Sequence, residues 1–292
     1  MKVINRFCYL FFIGIMLTLF LACNKHNITA NHAPLAAQNL MNVAYVPDPL
    51  QKMDVYLPVG RDTIHTKVLM LIHGGAWTSG DKTDFDTAIL TLQNSLPNFA
   101  LCNINSRLAT IQGANVWPTQ LSDINSAFQS LQQQQAKYVI NTSQSAVFGA
   151  SAGAQLALLL GYTHSDKIKA IIDLFGHTDL AALYYNAPNL LYPSLLSIFL
   201  NGTPATNMPA YISASPLYLV NTSKLPLTII FHGTADDVVP ISQSDSLNNR
   251  LSNYDITHQY IQYAGAGHGG TGVNLIDTYN KSIQFLQQIM PN

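Results

Sequence analysis

The stretch Ala146-Val147-Phe148-Gly149-Ala150-Ser151-Ala152-Gly153 decides how this chain is read. Apolar residues with strand character run into a serine flanked by glycines, and an Ala/Leu-rich segment at 155–162 follows with helical character. A strand that turns into a helix at G-x-S-x-G puts the serine on a sharp corner with its hydroxyl exposed. Glycine at both ends of the motif avoids a clash where strand and helix approach. The helix N-terminus behind the serine favours negative charge forming nearby.

Working outward, the same alternation recurs. Short apolar runs at 42–46, 53–57, 67–72 (KVLMLI), 99–104, 168–174, 227–231 and 259–263 read as strands. Residues 118–137 read as a helix, with Leu121, Ile124, Phe128 and Leu131 at helical spacing, and 275–290 as a closing helix. Strands alternating with helices imply an α/β fold with a mostly parallel central sheet covered on both faces. Functional residues in such sheets collect beyond the carboxyl ends of the strands. Residues 177–224 break the alternation, being rich in Leu, Tyr, Pro and Asn, and are too long for a simple connection. They are expected to form a small cap-like insertion, in preference to a peripheral helical pair.

A serine hydroxyl needs a base to take its proton, and the base needs an orienting acid. His268, in Gly267-His268-Gly269 after the last strand run, has little to pack against and is the expected base. The acid is expected from His232-Gly233-Thr234-Ala235-Asp236-Asp237, which gives the chain order Ser, Asp, His. Asp236 is favoured over Asp237, which reads as a solvated or turn-capping residue. His232, at a strand end, reads as structural. His73-Gly74-Gly75-Ala76-Trp77 follows another strand run. Backbone N–H groups of Gly74 or Gly75, with that of Ala152, are the expected donors to an oxyanion. His73 is expected to brace that loop. Trp77 reads equally well as a core residue or as lining a substrate pocket.

Composition narrows the field. The chain has 292 residues, 48% of them hydrophobic, enough for one large domain with a single core or for two small ones. Charged residues are only 10%, and the formal net charge is -1 with no basic cluster. Nucleic acid is therefore not an expected partner, because phosphate neutralisation needs concentrated positive charge. All 15 acidic residues are Asp. Chemistry that needs a Glu, as in zinc-protease helices or Glu-containing glycosidase pairs, is excluded.

The first residues read as an export signal over 1–22, with Lys2 and Arg6 before an apolar run. The run ends in Leu21-Ala22-Cys23, which is similar to the lipobox of bacterial lipoproteins. Cys23 is the expected lipidation site, and residues 23–40 a tether to a domain over 41–292. An uncleaved anchor, or ordinary cleavage near Ala22, is the alternative. Each reading places the domain outside the cytoplasm, as a lipid-anchored protein facing the periplasm or the cell surface. Of the three cysteines, Cys8 falls in the signal, leaving Cys102 as a core residue with no disulfide partner.

A resemblance rests on Asp54-Val55-Tyr56-Leu57-Pro58, His73 to Trp77, Ser79-Gly80-Asp81-Lys82, Gly149 to Gly153, Ala214-Ser215-Pro216, His232 to Pro240 and Gly267-His268-Gly269. Together these segments resemble the esterase/lipase branch of the α/β-hydrolases, over roughly residue 42 to the C-terminus. The nearest groups are the hormone-sensitive-lipase-like carboxylesterases and the bacterial feruloyl and acetyl-xylan esterases. The resemblance implies a serine carboxylic-ester hydrolase acting through an acyl-enzyme. Ser151, Asp236 and His268 would be its triad, with no metal or organic cofactor. Its substrate would be a small-molecule or polysaccharide-linked ester with a short-chain or aromatic acyl group. Asp81, Asp123 and Arg107 match positions taken as structural. Asn105 stands before Ser106-Arg107 where many relatives carry an aromatic before the Arg. The rivals are an arylformamidase or serine peptidase of the same fold, and a non-catalytic surface-binding protein.

Overall fold

The computed structural model describes residues 33–189, 191–222, 224–269 and 272–291. The expected export signal, Cys8 and Cys23 lie outside the described residues. The chain divides into two units, 1–34 and 35–292. The first is described only at Ala33 and Pro34, both exposed. No described helix is long and apolar enough to cross a membrane.

The second unit is built on eight strands: β1 (Gln38–Ala44), β2 (Lys52–Leu57), β3 (Lys67–Ile72), β4 (Phe99–Ile104), β5 (Ser145–Ala150), β6 (Ile168–Leu174), β7 (Leu227–Gly233) and β8 (His258–Tyr263). Their order in the sheet is β1-β2-β4-β3-β5-β6-β7-β8. The β1/β2 and β2/β4 pairs are antiparallel, and every pair from β4/β3 to β7/β8 is parallel. The central strands are near-continuous apolar runs because helices cover both faces. After β3 the chain goes to β4 on one side, then returns to β5 on the other. That reversal opens a crevice beyond the carboxyl ends of β3 and β5.

The helices are α1 (Asp86–Ser95), α2 (Thr119–Gln133), α3 (Ala152–Thr163), α4 (Leu180–Tyr185), α5 (Leu191–Phe199), α6 (Pro204–Ser213), α7 (Ser242–Asn253) and α8 (Val273–Ile289). Helix α3 is apolar over most of its circumference, and nearly all of it is buried. A helix of that kind belongs inside the fold. One core cluster joins α2, α3 and α7 to one face of the sheet, and a second joins α1 and α8 to the other.

The folded domain begins before the expected residue 41. β1 starts at Gln38, and the Leu35 carbonyl accepts the Gly60 N–H at 2.8 Å. Most of β1 is exposed, so its sequence lacks the apolar alternation that marks a half-buried strand. The expected helix 118–137 stops at Gln133, and a separate single turn follows at Gln135–Tyr138.

Candidate active site

Ser151 occupies the corner between β5 and α3 with φ 55° and ψ −120°, a conformation that L side chains rarely adopt. The corner is held because the Ser151 N–H donates to Leu174 O at 2.8 Å. The close approach needs glycine on both sides. A Cβ on Gly149 would lie 2.3 Å from Gly153 O, and one on Gly153 2.1 Å from Ile72 O. Strand β3, strand β5 and helix α3 therefore meet without side chains between them.

His268 follows β8 and Asp236 follows β7, and these neighbouring strands bring the two together. The His268 Nδ1–H donates to Asp236 Oδ2 at 2.8 Å, leaving Nε2 to accept from the Ser151 hydroxyl at 3.1 Å. Asp236 Oδ1 accepts the N–H groups of Val238 (2.9 Å) and Val239 (2.8 Å). Burial alone would push the Asp236 carboxyl up. Hydrogen bonding from His232 and His268 outweighs it and holds the group well below the usual carboxylate range. Asp237 is exposed. The Phe175 ring and the His268 imidazole meet edge to face, with centroids 4.6 Å apart.

The loop after β3 lies against the serine. A Cβ on Gly74 would sit 3.3 Å from Ser151 Cβ. Gly75, Ala76 and Trp77 take φ of 104°, 52° and 63°, a run of sparsely populated conformations. The Gly75 carbonyl accepts from Thr78 N and Ser79 N, and Trp77 O accepts from Ala109 N at 2.8 Å. His73 Nδ1–H donates to Gly74 O at 2.7 Å, which braces the loop as expected. Among the described residues no backbone acceptor pairs with the N–H of Gly75. The N–H of Ala152 opens α3 and has no partner within the helix.

Trp77 is only 2% exposed. Its ring stacks on Phe199 of α5 at 4.4 Å, and its Nε1–H donates to Gln155 Oε1 at 3.0 Å. It packs in a core whose partner surface is supplied by the insertion. The insertion (α4, α5 and α6) forms a third core cluster with Trp77 and Ala152, against which Val238 also packs. These three residues follow β3, β5 and β7, so the insertion packs at the carboxyl ends of the strands rather than on the periphery.

Two residues near the serine carry no motif of their own. Gln155 in α3 links Trp77 to the insertion, its Nε2–H donating to Ala214 O at 2.6 Å. A lone polar residue in an apolar helix was the signal for it. His177 is fully buried, with Nε2 at 2.7 Å from the Tyr192 hydroxyl. Burial, with His268 nearby, pushes its imidazole down to about 3, so it stays neutral. Asp123 binds Arg107 through both oxygens, and Asp81 caps the turn Lys82–Phe85. Both act structurally, as their positions implied.

A strained serine corner between a parallel strand and its helix, with acid and histidine following in that order, defines the α/β-hydrolase class. The BD-FAE family profile matches residues 53–251. The chain belongs to the BD-FAE family, within the esterase/lipase branch of that fold. Esterase LipC of Mycobacterium tuberculosis (strain ATCC 25618 / H37Rv) is 26% identical over 241 residues, 78% of this chain and 59% of LipC. A bifunctional GH43-CE protein of Bacteroides eggerthii superposes with a TM-score of 0.74 at 25% identity, over 86% of this chain and 38% of that one. A truncated carbohydrate esterase from gut microbiota shares the fold, with a TM-score of 0.73 at 23% identity, covering 87% and 97% of the two chains. This chain thus spans less than two thirds of the length of the curated relatives it matches.

Proposed function

We propose that this protein hydrolyses carboxylic esters through an acyl-enzyme on Ser151. The observation that carries this reading is the hydrogen-bonded line from Asp236 through His268 to the Ser151 hydroxyl. His268 Nε2 takes the Ser151 proton as Oγ attacks the ester carbonyl. The carbonyl oxygen becomes an anion facing the N–H groups of Gly74 or Gly75 and Ala152. As the tetrahedral centre collapses, the C–O bond to the alcohol breaks and His268 hands that oxygen its proton. A water molecule, deprotonated by His268, then attacks the acyl carbonyl. Ser151 leaves with the proton restored and a carboxylic acid is released. Asp236 stays ionised throughout and steadies the imidazolium. Its strong preference for the charged form suits that role.

The naming of relatives as esterases supports the ester class. Two structural neighbours are described as a GH43-CE protein and a carbohydrate esterase. We take an acyl group carried on polysaccharide, short-chain or aromatic, as the substrate class to test first. Hydrolysis of p-nitrophenyl acetate, butyrate and octanoate, with Ser151→Ala alongside, tests the reading. Turnover by the wild type and a loss of roughly a thousandfold or more in the variant are expected. A variant as active as the wild type would remove Ser151 as nucleophile. Turnover of a formamide but of no ester would move the protein to the arylformamidase reading.

A further inference from the structure

His232 lies near the end of β7 with a side chain that is fully enclosed. Its ring touches three parts of the site at once. Nε2 lies 2.9 Å from Val239 O and 3.3 Å from Asp236 Oδ2, and Nδ1 lies 2.7 Å from Ser244 Oγ on α7. A carbonyl only accepts, so Nε2 carries the proton. Nδ1 is hydrogen-bonded to the Ser244 hydroxyl. The ring thus turns a donor towards the loop that carries the acid. Asp236 is held on all sides: Oδ1 by Val238 and Val239, Oδ2 by His268 and, at longer range, by His232.

We infer that His232 is a positioning residue for the esterase reaction: it clamps the Asp236–Val239 turn and shares its N–H with the Asp236 carboxylate, so setting how strongly Asp236 draws on His268. This rests on the Ser151–His268–Asp236 reading given above. The clamp is specific to one ring nitrogen. The Val239 carbonyl belongs to the residue whose N–H binds Asp236 Oδ1, so fixing that peptide fixes the carboxylate plane. The N–H shared with Oδ2 spreads the carboxylate charge over two donors. Losing that donor leaves Asp236 with more proton affinity. Asp236 then pulls harder on the His268 N–H and makes His268 a stronger base for protons. The other titratable groups around His232 are Asp173 and His177, both buried and reached from β6 and from the start of the insertion.

The test is the pH–rate profile of p-nitrophenyl acetate hydrolysis by the full chain, with His232→Leu, His232→Gln and Ser244→Ala, and thermal melts to show that each is folded. His232→Leu should lower kcat roughly ten- to hundredfold with KM nearly unchanged. It should also move the acid limb of the profile upward by about half a pH unit. His232→Gln keeps an N–H near the position of Nε2 and should recover most of both effects. Ser244→Ala frees the ring to turn and should fall between. A folded His232→Leu with the wild-type kcat and acid limb would overturn the proposal, as would a folded Gln variant as impaired as the Leu variant. If His232→Leu does not fold, Ser244→Ala carries the test, and a folded Ser244→Ala with wild-type kcat and limb overturns it. Failure of the underlying reading looks different. The wild type would then be inert towards the ester, or Ser151→Ala would be as active as wild type, and the proposal would fall with that reading.

Discussion

Asp236 and His268 are separated by 32 residues in the chain, yet Oδ2 and Nδ1 meet at 2.8 Å. They meet because β7 and β8 run parallel and adjacent, with Gly233 opposite Tyr263, so the loops leaving both strands emerge side by side. Two backbone N–H groups hold the other carboxylate oxygen, which leaves Oδ2 turned towards the imidazole. The same two-strand arrangement sets Gly74 beside Ser151, with Ile72 of β3 opposite Gly149 of β5.

The acid should therefore be Asp236 alone. Asp236→Asn fits the same space and can keep the two backbone bonds, but it offers His268 an amide in place of a charge. The imidazole is then left in the wrong tautomer, and kcat should fall by about 10⁴ with little change in KM. Asp237→Asn, at an exposed position, should stay near wild type. Steady-state kinetics of the two variants decides it, and an Asp237 variant with the larger defect would reverse the assignment.

Asp173 should make stability depend on pH. It is fully buried in β6, with Oδ1 accepting the Gly176 N–H at 2.8 Å. Burial raises its carboxyl from 3.8 to about 6. The folded state therefore binds this proton more tightly than the unfolded state does. The contribution to stability is fully present below the unfolded value and is lost as pH rises through about 6. Asp173→Asn removes that ionisation and keeps the acceptor for Gly176. Its stability relative to wild type should improve by up to about 3 kcal/mol between pH 4 and pH 8. Thermal melts of both proteins across that range check this, and a difference independent of pH would contradict it.

Trp77 should couple the insertion to the loop before the serine. Trp77→Phe keeps a ring against Phe199 but strands the buried Gln155 Oε1, which should cost about 1–3 kcal/mol. That corresponds to a fall in Tm of several degrees for a domain of this size. Because the strained Gly75–Trp77 turn carries expected oxyanion donors, kcat should drop more than KM rises. Melting and steady-state kinetics on the same preparation test both halves. A variant with wild-type Tm and kcat would mean that the Trp77–Gln155 bond holds nothing in place.

Much of the fold was legible in the order of residues. β3, β4 and β6 fall on the runs 67–72, 99–104 and 168–174, because a strand buried on both faces is apolar along most of its length. The serine corner was legible because only glycine fits where Gly153 approaches Ile72 O. Other elements were not. α7 (Ser242–Asn253) is mostly polar and is held by Leu247 and Leu251, too sparse a pattern to stand out from a loop. α1 (Asp86–Ser95) directly follows the short turn Lys82–Phe85, and its apolar face is only Ala88, Ile89 and Leu92.

By itself the sequence determined the alternation that makes a parallel sheet, the glycines that allow its closest contacts, and the set of side chains able to do acid–base and nucleophilic work. Only the tertiary structure enclosed the Asp236 carboxylate and left Asp237 exposed, buried Trp77 under the insertion, and turned the two nitrogens of His232 towards Val239 and Ser244. The reason is physical. Local patterns report how each segment meets solvent and its own backbone. Which of two neighbouring carboxylates is enclosed, and which way a buried ring faces, depends on partners from strands and helices far along the chain.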